Sequence, residues 1–115
     1  MKPNSSMKSD RNYLEHILEA INTIEDHTAG LDWDSFSKSK LHIDAVVREL
    51  EIIGEASNNL SDKVKKENPE LPFRNAVDMR NFLIHEYFGV NVKAVWETCE
   101  KDLKPMRDIV KSLLE

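Results

Sequence analysis

The sequence predicts an all-α protein, an antiparallel bundle of four to five helices, and three observations carry that reading. Apolar residues recur at steps of three and four over long stretches, the spacing that lines one face of a helix. Only three glycines and four prolines occur in 115 residues, which argues for long elements and few tight turns. Residues that start or stop helices stand at the edges of the periodic stretches.

A chain of this length holds one domain, placed at residues 10–115 behind a flexible leader at residues 1–9. Ser9 or Asp10 is expected to cap the first helix, because a short polar side chain satisfies the free N–H groups of the first turn. Leu14, Ile17, Leu18, Ile21 and Ile24 then form its apolar stripe, and Gly30 is its expected stop. His16 and His27 fall outside the stripe and read as surface residues.

Leu31 to Ser39 reads as a connector with one short turn, in which Trp33 and Phe36 plug the end of the bundle. A long helix follows from Ser39 or Lys40 to Leu60, with Val46, Leu50, Ile53 and Leu60 facing inward. Ile43, Val47 and Ala56 widen that face. Gly54 marks an expected close approach of helices, since glycine in mid-helix otherwise costs about 1 kcal/mol. Asp44, Arg48, Glu51 and Glu55 run along one side at steps of four, three and four. They read as a solvated ladder of charge pairs, or else one of their carboxylates orients Arg80.

Ser61 caps a short helix over Asp62–Asn68. Pro69 and Pro72 bracket a loop, since each disfavours helix at the residue before it. Phe73 to Phe88 is predicted as the next major helix, stopped by Gly89. Asn91 then caps the last helix, where Val92, Trp96, Cys99, Leu103, Met106, Val110 and Leu113 step 4, 3, 4, 3, 4, 3. Because this heptad stays in phase across Pro105, the proline is expected to kink one continuous helix. A seam so regular can also bury part of itself against a second copy.

Composition narrows the function classes. The start of the chain is polar and lacks the apolar core of a signal peptide, and no stretch approaches the roughly 18 apolar residues of a membrane span. The lone Cys99 has no intramolecular disulfide partner and sits on the core side of its helix. A cytoplasmic protein is expected. The net charge of −5 argues against coating nucleic acid through bulk electrostatics. The acid is concentrated in residues 1–60, with 6 basic and 11 acidic side chains, whereas residues 61–115 carry 10 of each. Local contact with a few phosphates is compatible with that balance. There is no glycine-rich phosphate loop, no His-Glu-x-x-His pair, and no recognisable nucleophilic Ser or Cys. Carboxylates are scattered, so neither a metal nor a cofactor is expected.

The stretch Arg80-Asn81-Phe82-Leu83-Ile84-His85-Glu86-Tyr87 carries the chemistry. A guanidinium offers paired donors to a phosphate, and an imidazole exchanges protons near neutrality. At about 100° per residue, Arg74, Asp78, Asn81 and His85 share one face. Arg80 and Tyr87 fall inside the apolar sector of Phe73, Ala76, Val77, Leu83, Ile84 and Phe88. Arg80 and His85 differ by about 140°, so one regular helix does not converge them on a phosphate. Either the helix distorts before His85, or a two-fold interface completes the site. The plain alternative is that Arg80 pairs a carboxylate within the bundle and His85 is a surface residue.

The residues also carry a family likeness. Arg80-Asn81-x-x-x-His85-x-Tyr87 resembles the Arg-x4-His-x-Tyr motif of the HEPN superfamily, in its HepT-like toxin branch. Asp44-Ala45-Val46-Val47-Arg48-x-Leu50-Glu51-Ile52-Ile53-Gly54-Glu55-Ala56 resembles that branch's long second helix. Leu71-Pro72-Phe73-Arg74, Tyr87-Phe88-Gly89-Val90 and Val95-Trp96-Glu97 match the segments around the motif, so the likeness spans residues 10–115. Phe82 departs from it, standing where many relatives carry a polar or basic residue, and Phe73 stands where Trp is common.

The resemblance implies a HEPN bundle, a homodimer with two motifs facing a shared cleft, and metal-independent cleavage of RNA, whether tRNA or messenger. It makes Arg80 and His85 the catalytic pair, Asn81 and Tyr87 supporting groups, and Arg74 a candidate RNA contact. It further implies a minimal, MntA-like nucleotidyltransferase antitoxin that adenylylates Tyr87, as in type VII-like toxin–antitoxin pairs. The competing expectation is a non-catalytic helical partner, or substrate-presenting subunit, of such a nucleotidyltransferase.

Overall fold

The structure, a computed structural model, describes residues 3–69 and 91–115, with side chains from residue 9 onward. Among the described residues lie six helices and no strand: α1 (Pro3–Thr28), α2 (Trp33–Ser37), α3 (Lys40–Asn58), α4 (Asp62–Glu67), α5 (Val92–Lys101) and α6 (Leu103–Leu114). The helix expected over Phe73–Phe88, with its stop at Gly89, lies outside the described residues.

Among the described residues, helix α1 is the hub. It packs along α3 on one side and along α6 on another, and α2 sits against α3 and α5. Long-range contacts give the directions. Near the start of α1, Asp10 takes hydrogen bonds from the backbone N–H and hydroxyl of Ser61, just past the end of α3, at 2.8 and 2.7 Å. Near the other end, the rings of His27 and His42 meet edge-on at 6.3 Å. α1 and α3 are therefore antiparallel. Arg11 donates to the Leu114 carbonyl at 3.2 Å, while Glu25 pairs with Arg107, so α6 also runs antiparallel to α1.

The predicted stripes make the core. Leu14, Ile17, Ile21 and Ile24 of α1 are buried, as are Val46, Val47, Leu50, Ile53 and Ala56 of α3, with Leu60 beyond it. Leu18 and Ile43 are partly buried at its edge. Phe36 is fully buried and its ring lies 4.9 Å from that of Trp96. Trp33 covers Trp96 from outside at 6.4 Å and stays 39% exposed, so Phe36 alone is an internal plug.

Caps account for most boundaries. Ser39 accepts from the His42 N–H, Ser61 from Val64 and Asn91 from Ala94, each satisfying a first-turn donor. Asp32 caps α2 in the same way, and the Ser35 N–H and hydroxyl hold its carboxyl below the ordinary carboxylate range. Gly30 adopts φ +75, the left-handed conformation that ends α1, and Leu31 N–H closes onto the Thr28 carbonyl at 3.0 Å.

Three local expectations are corrected. The first helix begins at Pro3, not after Ser9 or Asp10. Proline suits a first helical position because it has no N–H to leave unpaired. Asp10, inside the helix, is instead committed across the bundle to Ser61. Pro105 also does more than kink the last helix: the path divides at Asp102 into α5 and α6. Proline has no N–H for the carbonyl four residues back, here Lys101, and its ring crowds that carbonyl. Finally, the seam holds at Leu103, Met106 and Val110 but not at its end. Leu113 is 38% exposed, and Val95, one step off the heptad, is fully buried. The break at Asp102 lets α5 rotate relative to the register that a continuous helix would impose.

Candidate functional site

The residues singled out for chemistry, Arg74, Arg80, Asn81, His85 and Tyr87, lie outside the described residues. What the fold does define is where that stretch is anchored. It follows α4, whose first residue is preceded by the Ser61 hydroxyl latched onto Asp10 of α1. Asn68 closes the other end of α4 by donating to the Val64 carbonyl at 2.9 Å. The stretch is left at Asn91, whose side chain accepts from the Ala94 N–H at 3.1 Å and starts α5. Both flanks are therefore tied to the α1–α3 and α5–α6 layers by specific polar contacts.

A groove of about 350 Å³ opens between α1 and α3. Ile52 and Ala56 give it an apolar floor, while Tyr13, His16, Arg48, Glu51, Glu55 and Asn59 supply polar groups. Tyr13 and His16, one turn apart on α1, stand edge-on with ring centres 6.4 Å apart. The charge ladder expected on α3 is built differently. Asp44 takes Lys40 as its partner at 2.5 Å, in place of Arg48. Arg48 is exposed and makes no ion pair among the described residues. Sequence reading placed His16 at the surface, where it is, but did not join it to Tyr13. The signal was present, since both flank the α1 stripe three positions apart, on one edge of the helix.

Cys99, the one thiol of the chain, is not reactive. Burial, with a smaller contribution from the Glu100 charge, pushes the Cys99 thiol up to about 12, so it is protonated and inert at neutrality. No three His, Cys, Asp or Glu side chains among the described residues could share a metal ion. No helix among them is long and apolar enough to cross a membrane.

Among the described residues the chain is an all-α bundle, consistent with a HEPN-like fold. The sequence comparisons supply the particular family. The HepT-like family, described as "Ribonuclease HepT-like", matches residues 17–113, and the chain belongs to it. That match spans the whole Arg80–Tyr87 stretch. The chain is 39% identical to the "Putative RNase TTE0752" of Caldanaerobacter subterraneus subsp. tengcongensis over 95% of its own length and 97% of that protein's. It is 43% identical to the "Probable ribonuclease HepT" of Thermococcus cleftensis, over 87% of this chain and 91% of that one. No solved structure matches the chain at a significant level. By family, the protein is a ribonuclease of the endonucleolytic HepT-like class.

Proposed function

We propose that the chain cleaves RNA without a metal ion, through the 2′-hydroxyl, as the toxin of a type VII-like toxin–antitoxin pair. The observation that carries this reading is the HepT-like family match over residues 17–113, which includes Arg80, Asn81, His85 and Tyr87. RNA brings its own nucleophile in the 2′-hydroxyl. His85 takes the hydroxyl proton as the 2′-oxygen bonds to phosphorus. Arg80 balances the negative charge that grows on the phosphate oxygens. The bond from phosphorus to the 5′-oxygen breaks, and that oxygen takes up a proton. The products are a 2′,3′-cyclic phosphate and a 5′-hydroxyl. Asn81 supports the pair, and Arg74 contacts the RNA backbone.

In this reading the protein works in the cytoplasm as a homodimer on tRNA or messenger RNA. Its partner is a minimal, MntA-like nucleotidyltransferase that transfers AMP to the Tyr87 hydroxyl. The added group sets bulk and negative charge where the RNA phosphate must sit, so substrate is excluded. Mass spectrometry of the co-expressed pair should locate AMP on the Tyr87 peptide, and an unmodified peptide would remove this part of the proposal.

The deciding measurement is RNA cleavage in excess EDTA by wild type beside His85→Ala, with end-group analysis. Loss of an acid–base group should lower cleavage by a factor of about 10²–10⁴. Equal residual cleavage by both proteins would instead point to a contaminating nuclease. The net charge of −5 and the apolar Phe82 favour a second reading, a non-catalytic helical partner of the nucleotidyltransferase. Normal growth on induction, together with tight co-purification of the enzyme, would select it.

A further inference from the structure

Trp33 differs from the other exposed apolar side chains in that its ring is braced from behind. Leu41 and Leu113 are exposed as well, but single aliphatic side chains are ordinary on a surface. Trp33 lies on Trp96, with ring centres 6.4 Å apart, and Trp96 lies in turn on the fully buried Phe36 at 4.9 Å. Three rings therefore step from the core to the surface. The backbone beneath the outermost ring is fixed too. Asp32 accepts from the Ser35 N–H at 2.8 Å, and the Phe36 N–H closes onto the Asp32 carbonyl at 2.9 Å. An aromatic face held in this way loses little freedom when another flat group stacks on it.

The charges around these rings leave one cation uncommitted. Asp34 is paired with Lys38 at 3.2 Å, and the Asp32 carboxylate is taken up by the first turn of α2. Glu97 is paired with Lys101 at 3.9 Å. Lys93, three positions before Trp96 and so its neighbour on the surface of α5, is exposed and has no ion-pair partner among the described residues. Glu100, one turn past Trp96, repels an anion in the opposite direction along α5. The polarity of this edge therefore runs from the rings toward Lys93 and Asn91, where the stretch that carries Arg80 and His85 rejoins the described chain. A fixed aromatic face beside a lone ammonium matches the chemistry of an unpaired nucleotide, whose base stacks on a ring while its phosphate meets a cation. We propose that Trp33 is a stacking platform for one unpaired base of an RNA substrate, with Lys93 holding the phosphate next to that base. This deepens the ribonuclease reading and rests on it for the substrate class, and it assigns a contact outside the Arg80–Tyr87 stretch.

A single-stranded oligoribonucleotide with 2′-O-methyl sugars is the probe, because it keeps bases and phosphates but lacks the nucleophile for cleavage. Its binding to the intact chain should quench tryptophan fluorescence. Trp33→Leu, which keeps apolar bulk without an aromatic face, should weaken binding about fivefold or more and remove most of the quench. Trp33→Tyr should retain most of the affinity. Lys93→Gln should lower the slope of log affinity against log salt by about 0.7, the share of one phosphate contact on a single strand. With cleavable RNA, the loss in Trp33→Leu should appear in KM. Circular dichroism separates loss of binding from loss of fold. A folded Trp33→Leu that binds the probe as wild type does would overturn the proposal, and so would a wild type that does not bind it. If Trp33→Leu fails to fold, the wild-type signal decides, and bound probe without a quench overturns the platform. Wild type that binds the probe through Trp33 but cleaves no RNA would remove the ribonuclease reading and leave the platform. Normal cleavage with an unaltered Trp33→Leu would remove the platform alone.

Discussion

Cys99 shows how burial disarms a side chain that looks reactive in a sequence. It is the only cysteine, partly buried between α5 and the core, and its thiol is pushed up to about 12, first by burial and then by the Glu100 charge. The proton is therefore held more tightly in the folded chain than in the unfolded one. The stability that this contributes is fully present below the ordinary thiol value of 9.0 and is lost as pH rises from there toward about 12. In the native protein at pH 8, alkylation by iodoacetamide should be slower than in urea by more than tenfold. Equal rates would show a thiol in free contact with solvent. The same scale explains what was legible at the site. Residue types at Arg80, His85 and Tyr87 announce chemistry because few other side chains can do those tasks near neutral pH. Their convergence does not follow from type. A regular helix sets Arg80 and His85 about 140° apart, and bringing them together would depend on tertiary or quaternary placement, which no local rule supplies.

At the scale of elements, short-range signals gave boundaries and long-range partners did not appear. Ser39, Ser61, Asn91 and Gly30 act where the sequence put them, because a cap and a left-handed stop are settled within about one turn of the chain. Asp10 fits the same pattern of a cap and is not one for its own helix. Its carboxylate serves Ser61, 51 positions away, and no periodicity reveals that distance. Removing it as Asp10→Ala leaves the Ser61 N–H and hydroxyl without their charged acceptor. A loss of about 1.5–3 kcal/mol is expected in urea unfolding, with Asp10→Asn retaining part of it. An unchanged midpoint would mean that water replaces the carboxylate at no cost. The break at Asp102 belongs here as well. The heptad predicted continuity, but a repeating apolar register reports only which face is inward. The missing N–H of Pro105 decides whether the backbone stays regular.

Among the described residues, α1 organises the fold, carrying one face to α3 and another to α6. These two contacts differ in how far the chain must travel to make them. α1 and α3 are neighbours in sequence, joined through the short α2 segment, whereas Arg11 meets Leu114 across a separation of 103 and Arg107 meets Glu25 across 82. Closing long loops is entropically costly and rewarded only late, so the two halves of the core are expected to form at different times. The expected order is that the α1–α3 hairpin forms the folding nucleus and the α6 arm docks after the barrier. Stopped-flow chevrons should show this division. Ile53→Val, in the hairpin, should slow folding, while Arg107→Ala, on the late arm, should mainly accelerate unfolding. The reverse pattern would place the C-terminal arm in the nucleus. If the order holds, a nascent chain lacking its last turns already owns most of its scaffold, and the final helix acts as the clasp that sets its lifetime.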